Sequence, residues 1–486
     1  MEILIQIIQL LLSLSILVVL HEFGHYAAAK FFGCRVEKFY LFMDWKFALF
    51  KKKIGETEFG VGWLPLGGYV KIAGFIDESM DTKGVETPPQ PWELRAKPAW
   101  QRLVVMLGGI FVNLILAWIV YSCLLFFYGT DSISMKELDD GFVFNETAKN
   151  YGFQDGDKII SINDKVIAEY WSTYSGVSPG DIRTSLLFVG WKKDASSGVK
   201  YKTVNVKRNN NIESIKIYKD SVAQVMGGER GKIQQKLGTF FMPATRGWEV
   251  ESVVNGSIAD SLGITRDDKI IELNNSPVVW YHAAIDSLKS NINKPIDIVV
   301  KKQNGKIVRH PGIIINEKFG TIKKNTLEKK HQDYGVLQAF SVGLKTTVGA
   351  LQFYWTNITI LFDIEMKGWK SLGGMIAIGS MFDGEIQQND WTWESFKEWG
   401  NKKVFNFWFI TALLSIILAV MNLLPIPALD GGHALIAFGE MITGYKLPLK
   451  VLMPLQIVGM SILLILAVWA NLNDVINVDW SFLTKK

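Results

Sequence analysis

The feature that most constrains this chain is the motif His21-Glu22-Phe23-Gly24-His25, which ends an uncharged segment running from Ile3 to Leu20. Residues four apart lie on one face of a helix, so the imidazoles of His21 and His25 can reach a single Zn²⁺ ion. Glu22 then lies beside the metal, where its carboxylate can take a proton from a metal-bound water. The motif therefore predicts a zinc site with a glutamate as general base.

The flanks of the motif decide between a metal site and a chance arrangement. A soluble helix can carry two histidines and a glutamate on its solvated face, but its sequence is then amphipathic. Here the segment from Ile3 to Leu20 is apolar nearly all round and, continued through Ala29, is long enough to cross a bilayer. Each ionisable side chain at membrane depth costs about 2.5–3.5 kcal/mol, so three together need a compensating role. Because no basic residue precedes the segment and no small-residue cleavage site follows it, we expect a retained span rather than a signal peptide.

The composition indicates a membrane protein with sizeable water-exposed parts. Hydrophobic residues make up 49% of the 486 residues and charged residues only 20%. The net charge of +5 is small for this length and gives no argument for a nucleic-acid partner. Two cysteines, Cys34 and Cys123, lie far apart in or beside apolar segments, so no disulfide framework is implied.

Four segments are long and apolar enough to span a lipid bilayer. We place these spans at 1–33, 103–128, 404–429 and 451–472. The connection 34–102 carries many lysines and arginines, whereas only Glu2 precedes the first span. The positive-inside rule therefore puts this connection, the end of the zinc-bearing helix and the loop 430–450 on the cytoplasmic side, and both chain termini on the other side.

The connection 34–102 contains a predicted membrane-associated hairpin. The sequence from Glu58 to Lys71 indicates two short strands around Gly67 and Gly68, with Pro65 confining the first strand to a sheet edge. A protease that cuts a transmembrane helix has to unwind it, and an open strand edge offers new partners to the freed backbone groups. A purely structural hairpin is the alternative, and the spacing alone does not separate the two.

Two further stretches indicate faces along which helices pack. In the second span, Asn113 follows Gly108 and Gly109, and small residues let helices approach closely, so we expect this face against the zinc-bearing helix. In the region 334–403, apolar residues recur at three and four positions between 337 and 362, which predicts a helix. That helix either lies in the membrane interface or packs against a neighbouring domain.

An internal repeat lies between the second and third spans. The sequence from Ala148 to Asn163 matches that from Ala259 to Asn274 without gaps. Each copy predicts a short helix ended by a glycine, a turn with Asp157 or Asp268, and a β-branched strand. The copies resemble PDZ domains in this strand and turn core, and we expect them to act as a size filter or a sensor. The expected modules are 130–225 and 235–315.

The second half of the metal site lies at the end of the third span, in Asn422-Leu-Leu-Pro-Ile-Pro-Ala-Leu-Asp-Gly-Gly-His433. The two prolines cannot continue a helix, so the backbone opens there. Asp430 follows at the membrane level predicted for His25, and a carboxylate is a common third zinc ligand that leaves a fourth position for water. His433 is the alternative third ligand. Asn422 can donate a hydrogen bond to substrate backbone or to a developing oxyanion.

These motifs together resemble the site-2 protease family of intramembrane zinc metallopeptidases, family M50, in its bacterial branch. The matching segments are residues 21–25, 65–71, 371–374 and 422–433, and the likeness extends over nearly all the chain. It implies a polytopic α-helical membrane protein with four transmembrane helices and two PDZ-like α/β modules inserted between the second and third. It also implies one zinc ion on His21, His25 and Asp430, Glu22 as the base, Asn422 on the substrate, and a substrate-binding strand edge at Gly60, Val61, Gly62, Gly67 and Gly68.

The implied activity is hydrolysis of a peptide bond in or near the transmembrane segment of single-span membrane proteins, such as anti-sigma factors and remnant signal peptides. The implied location is a bacterial inner membrane, with the termini and PDZ-like modules in the periplasm and the active site toward the cytoplasm. Two alternatives stay open. One is a catalytically silent PDZ scaffold, and the other is a metal transporter, although transport would favour charged residues in the other spans. The oligomeric state and the particular substrate stay undetermined.

Overall fold

The computed structural model describes the chain except for residues 1, 65–66, 76–87, 135–137, 139, 145, 164, 167–169, 173–191, 195, 219–240, 317–318, 325–329, 362–373, 381, 383–392 and 478–486. The chain forms two compact units. The first comprises Met1–Gly129, Asp333–Phe362 and Leu372–Lys486, and the second comprises Thr130–Gln332 and Asp363–Ser371. Helices and strands are numbered along the chain, and each unit is described by itself.

Four helices of the first unit are long and apolar enough to cross a membrane, as predicted. They are α1 (Glu2–Phe31), α2 (Ala99–Tyr128), α8 (Trp393–Leu423) and α10 (Leu449–Asn477). The third predicted span was too long, because α8 ends at Leu423 rather than near residue 429. Pro425 and Pro427 account for this end, since proline lacks the N–H that continues a helix.

The predicted loop 430–450 is mostly a helix, α9 (Asp430–Thr443). Its first residue is Asp430, whose negative charge is favoured at a helix N-terminus, and Leu429 before it is extended. Gly444 ends the helix in the left-handed conformation (φ +70°). The proline break therefore leads directly into a helix start, which fixes the position of Asp430 more firmly than a loop would.

Helix α2 is the centre of the first unit, since it contacts α1, α8, α9 and α6 (Val336–Leu361). The predicted packing of the second span against the motif helix is confirmed. A Cβ added at Gly108 would lie 2.6 Å from the backbone oxygen of Gly24, so only glycines allow the two helices to approach this closely.

The predicted helix of the region 334–403 is also present as α6, followed by the short helix α7 (Met375–Ser380). The motif residues 371–373 lie outside the described residues.

The connection between α1 and α2 forms a four-stranded sheet rather than a single hairpin. Its strands are β1 (Val36–Leu41), β2 (Met43–Ile54), β3 (Thr57–Leu64) and β4 (Tyr69–Ile72), in the order β2-β3-β1-β4. Strand β1 pairs in parallel with β3 and antiparallel with β4, so it separates the two predicted strands. Sequence periodicity shows that a strand exists but not which strand lies beside it.

The prediction that Gly60, Val61 and Gly62 lie on a sheet edge is wrong, because β3 is paired on both sides. The glycines are explained by close packing. A Cβ at Gly60 would lie 2.9 Å from the backbone oxygen of Phe50, and one at Gly62 would meet the backbone of Met43. Pro65 lies outside the described residues. The edge strand on this side of the sheet is β4, which follows Gly67 (φ +100°) and Gly68.

Two of the sheets in the second unit share a core of four paired strands. Its helices are α3 (Glu146–Asn150), α4 (Ile258–Ser261) and α5 (Tyr281–Ser290). Its strands are β5 (Thr130–Ser134), β6 (Phe142–Phe144), β7 (Lys158–Ile162), β8 (Lys165–Val166), β9 (Tyr170–Ser172), β10 (Lys192–Lys193), β11 (Lys200–Arg208), β12 (Asn211–Tyr218), β13 (Phe241–Pro243), β14 (Trp248–Val253), β15 (Lys269–Leu273), β16 (Ser276–Pro277), β17 (Pro295–Lys301), β18 (Ile307–Ile314), β19 (Thr321–Lys323) and β20 (Lys330–Gln332). The repeated strands β7 and β15 each pair with a long strand, β11 or β17, which in turn pairs with β12 or β18.

The repeat extends to individual hydrogen bonds. The strand-end residues Asn163 and Asn274 both adopt positive φ, and their side-chain oxygens each accept a 2.9 Å hydrogen bond from a backbone N–H of the neighbouring strand. The two repeat aspartates, predicted to lie in turns, are only 1% exposed. Asp157 pairs with Arg208 at 2.7 Å and Asp268 with Lys302 at 2.9 Å. Each module therefore contains a buried aspartate that is paired with one cationic side chain.

Replacing Asp268 with Asn should destabilise the second module by about 2–3 kcal/mol, because the carboxylate accepts bonds from Lys302 and from the backbone N–H groups of Thr265 and Gln303. We expect hydrogen exchange at those two amides to accelerate about 30- to 150-fold in the full chain. The exposed Glu251→Gln change is the matched control and should leave exchange unaltered.

The same carboxylate gives this module a pH dependence. Burial alone would raise the pKa of Asp268, but the bonds from Lys302, Thr265 and Gln303 outweigh it and hold the pKa below its ordinary value. A lowered folded-state pKa contributes stability above the unfolded value, so the contribution is present at neutral pH and is lost as the pH falls below about 4. Equal acid sensitivity of the wild-type and Asp268→Asn modules would contradict this account.

Candidate metal centre

Three predicted ligands meet in the first unit, although Asp430 lies more than 400 residues after His21 and His25 in the chain. His21 and His25 lie one turn apart on α1 and are 7% and 6% exposed, with their Nε2 atoms 3.3 Å apart. Asp430, at the start of α9, directs its Oδ2 atom to within 3.1 Å of His21 Nε2 and 3.3 Å of His25 Nε2. The two nitrogens and the oxygen therefore form a nearly equilateral triangle.

This triangle has the dimensions of one face of a zinc coordination tetrahedron. With metal–ligand bonds of about 2.0–2.1 Å, tetrahedral geometry separates the ligand atoms by about 3.3 Å. The Oδ2 atom of Asp430 is buried and has no hydrogen-bond partner among the described residues. A buried carboxylate oxygen facing two imidazole nitrogens is satisfied by a cation bound between them. The donor set thus fits Zn²⁺, with a fourth position left for water.

Helix α2 orients both imidazoles from behind. His25 Nδ1 lies 2.8 Å from the backbone oxygen of Val105, so Nδ1 donates its hydrogen there and Nε2 keeps a lone pair for the metal. His21 Nδ1 lies 3.1 Å from the side-chain amide of Asn113. A Cβ at Gly109 would lie 2.5 Å from His25 Nε2 and 2.6 Å from His21 Cε1, so a glycine is required there.

Sequence reasoning missed both of these contacts with α2. Every residue has a backbone carbonyl, so the sequence does not indicate that the carbonyl of Val105 contacts His25. For Asn113 a signal existed, because a carboxamide in an otherwise apolar span needs a polar partner. The small residues of the second span predict the packing face but not the contact of Asn113 with His21.

A cavity of about 530 Å³ opens in front of the three ligands. Glu22 lines it, and the backbone N–H of Val70 on β4 donates to the Glu22 carboxylate. Asn422 lines it too, with its amide 3.1 Å from His21 Nε2. The remaining wall includes Gly68 and the whole of β4. The predicted base and the predicted substrate-binding asparagine therefore share one cavity with the ligands, whereas Gly60, Val61, Gly62 and Gly67 are not part of its lining.

His433, the alternative third ligand, lies in the cavity wall but outside the ligand triangle. Its Nε2 atom lies 3.3 Å from the amide of Gln456, and its ring packs edge-on against Phe75 with centroids 5.0 Å apart. Among the described residues, His21, His25 and Asp430 form the cluster that can hold a metal ion. The geometry therefore favours Asp430 as the third ligand.

Two imidazoles one helical turn apart, a glutamate between them and a carboxylate from another helix define a zinc metallopeptidase, here built among helices that are long and apolar enough to cross a membrane. The chain belongs to peptidase family M50, whose sequence profile matches residues 9–466. It is 26% identical over 481 residues to a protein of Treponema pallidum described as a zinc metalloprotease, covering 97% of this chain and 99% of that one. It is 24% identical over 491 residues to the regulator of sigma E protease of Haemophilus influenzae, covering 96% and 97%.

These findings confirm the predicted family, the enzyme class and the zinc cofactor. They also agree with a membrane protein, since four helices are apolar enough to cross a bilayer.

The ligand triangle makes a clear prediction about metal content. Asp430→Ala removes one corner of the triangle and should reduce bound zinc from about one ion per chain to a trace, because two imidazoles alone do not complete a zinc site. His433→Ala should keep the zinc, since His433 lies outside the triangle. Metal analysis of the purified full chains measures both. Zinc retained in Asp430→Ala and lost in His433→Ala would reverse the assignment.

Proposed function

We propose that this zinc metallopeptidase hydrolyses a peptide bond in or beside the transmembrane segment of a single-span membrane protein. The observation that carries the proposal is the depth of the metal centre within the spans. His21 and His25 belong to the candidate span α1, and both imidazoles lie against the candidate span α2 at Gly109, ten residues after the first residue of that span, Ala99. A peptide bond must reach that depth to be cut, and a membrane-anchored chain is already there.

The residues of the cavity have separate roles in the reaction. A zinc ion held by His21, His25 and Asp430 would supply a Lewis acid that makes a water molecule in the cavity more acidic. Glu22 accepts the proton of that water and later gives it to the leaving amine. The N–H of Val70 holds the Glu22 carboxylate in position. Asn422 donates to the carbonyl oxygen of the substrate as negative charge develops on it.

Strand β4 offers the edge on which the substrate unwinds. Among the described strands β4 pairs only with β1, and its other edge faces the metal cavity. An unwound substrate segment that adds to this edge exchanges its helical hydrogen bonds for inter-strand ones. Gly68 supports the arrangement because a Cβ there would lie 2.7 Å from the backbone oxygen of Tyr40. The edge is thus at Tyr69–Ile72 rather than at Gly60–Gly62.

The same sheet carries apolar side chains suited to a lipid surface. On β2, Trp45, Phe47, Leu49 and Phe50 are 57–67% exposed. The lysines 46 and 51–53 on the same strand can extend to lipid headgroups. We therefore place the sheet against the bilayer, as a membrane-associated element beside the metal cavity.

The substrate class and the location are extended from the family. The Haemophilus relative is named for regulating sigma E, which supports anti-sigma factors as one substrate class, with remnant signal peptides as another. The family supports a bacterial inner membrane as the location, and the lysine-rich connection 34–102 supports an orientation with the active site toward the cytoplasm and the repeat modules in the periplasm. The repeat in the second unit supports two PDZ-like modules that filter or recognise trimmed substrates.

Replacing Glu22 with Gln should lower cleavage of a membrane-anchored substrate by about 10²- to 10⁴-fold, because the amide cannot accept the proton of the water. Zinc content should stay near that of the wild type, since Glu22 is outside the ligand triangle. The measurement is turnover of a single-span substrate in detergent or vesicles, with zinc analysed in parallel. Normal turnover by the zinc-loaded variant would contradict the role of Glu22 as general base, whereas no cleavage by the zinc-loaded wild type would favour a silent scaffold.

Strand addition at β4 can be tested on the substrate itself. N-methylation removes one backbone donor at a time, and strand pairing uses donors at alternate residues. We expect cleavage to fall at every second position around the scissile bond, with little effect between. The matched control is the substrate of identical sequence without N-methylation, measured at the same concentration. A loss that is uniform along the segment would contradict pairing at a strand edge.

A further inference from the structure

We propose that Asn113 is a positioning residue for the metal centre, and that its side-chain carbonyl oxygen accepts a hydrogen bond from Nδ1–H of His21. This bond would hold His21 in the tautomer that offers Nε2 to zinc. The proposal concerns how the site holds its metal and is independent of which substrate is cut.

Asn113 is placed where it can act only on His21. It is fully buried (0% exposed), and its side-chain amide lies 3.1 Å from His21 Nδ1. Its carbonyl oxygen is buried and has no hydrogen-bond partner among the described residues. The oxygen and the nitrogen of a carboxamide have nearly the same shape, so either end fits against the imidazole and the hydrogen bonding decides between them.

The geometry of the ligand triangle fixes which end must face His21. Nε2 of His21 points at the other two ligand atoms, 3.1 Å from Asp430 Oδ2 and 3.3 Å from His25 Nε2. To bind zinc, Nε2 must keep its lone pair, so the single hydrogen of the neutral ring is on Nδ1. Nδ1–H is then a donor and requires an acceptor, and among the described residues the carbonyl end of Asn113 provides it. If the N–H₂ group of Asn113 faced His21 instead, it would lie against Nδ1–H, and two hydrogen-bond donors would face each other.

The arrangement parallels the one that orients His25. Val105, Gly109 and Asn113 are spaced four apart, so they form one ridge along α2. The backbone oxygen of Val105 accepts from His25 Nδ1 at 2.8 Å, and Gly109 gives the two rings room against the helix. Each imidazole therefore has its own acceptor on the same ridge, one from the backbone and one from a side chain.

A second contact keeps this ridge in place. The backbone oxygen of Asn113 accepts a 2.8 Å hydrogen bond from Ser415 Oγ on α8. Helix α8 ends one residue after Asn422. Asn113 thus links α1 to α8, and it does so at the level of the metal ligands.

The test compares zinc affinity in three full-length variants, measured by competition with a chelator in detergent. Asn113→Leu keeps the size but has no acceptor and should weaken zinc binding about 10- to 100-fold. Asn113→Asp keeps an acceptor toward Nδ1–H and should bind zinc within a few-fold of the wild type. The matched control is Thr411→Val, which removes another fully buried inter-helix hydrogen bond, to Ser13, without touching a ligand. Its zinc affinity should equal that of the wild type.

A spectroscopic measurement separates positioning from general destabilisation. In cobalt-substituted protein, the visible ligand-field bands should shift in Asn113→Leu and stay in place in Asn113→Asp and Thr411→Val. Wild-type zinc affinity in Asn113→Leu would overturn the proposal, as would equal losses in the Leu and Asp variants. An equal loss in Thr411→Val would overturn it too, because the effect would then come from the helix bundle. If Asn113→Leu does not fold, the proposal fails unless Asn113→Asp folds and keeps the zinc.

Discussion

The convergence of three ligand atoms within 3.3 Å of one another is the contact on which the rest of the structure depends. Burying a carboxylate beside two neutral imidazoles in an apolar bundle is costly, so a bound cation stabilises the arrangement. The surrounding features bring His21, His25 and Asp430 together. The proline break ends α8, the new helix α9 starts at Asp430, and Gly109 lets both rings lie against α2.

Helix α2 carries none of the three ligands yet determines their geometry. Its backbone at Val105 and its side chain at Asn113 contact the outer nitrogens of His25 and His21. In metal sites such outer contacts set the tautomer and the ring orientation of each histidine. The close glycine contact between Gly24 and Gly108 brings α2 near enough to do so. The helix that looks like plain packing in the sequence is therefore part of the metal centre.

The sheet shows where sequence reasoning is limited. Both predicted strands, Thr57–Leu64 and Tyr69–Ile72, exist, but β1 lies between them. The glycines at 60 and 62 looked like an open edge and instead let β3 pack closely against Tyr40 and Met43. A strand pattern repeats every two residues whatever its neighbour is, so it carries no information about pairing order. The edge beside the metal cavity became evident only from the fold.

The sequence by itself determined the chemistry. The spacing of His21, Glu22 and His25, the four apolar segments and the aspartate after a proline break are local patterns, and local patterns follow from helix geometry and residue type. The tertiary structure decided which carboxylate or imidazole completes the site, which strand presents an edge, and which groups hold the histidines. These depend on contacts between residues more than 400 positions apart and on backbone carbonyls such as that of Val105, which every residue possesses and no sequence pattern can single out.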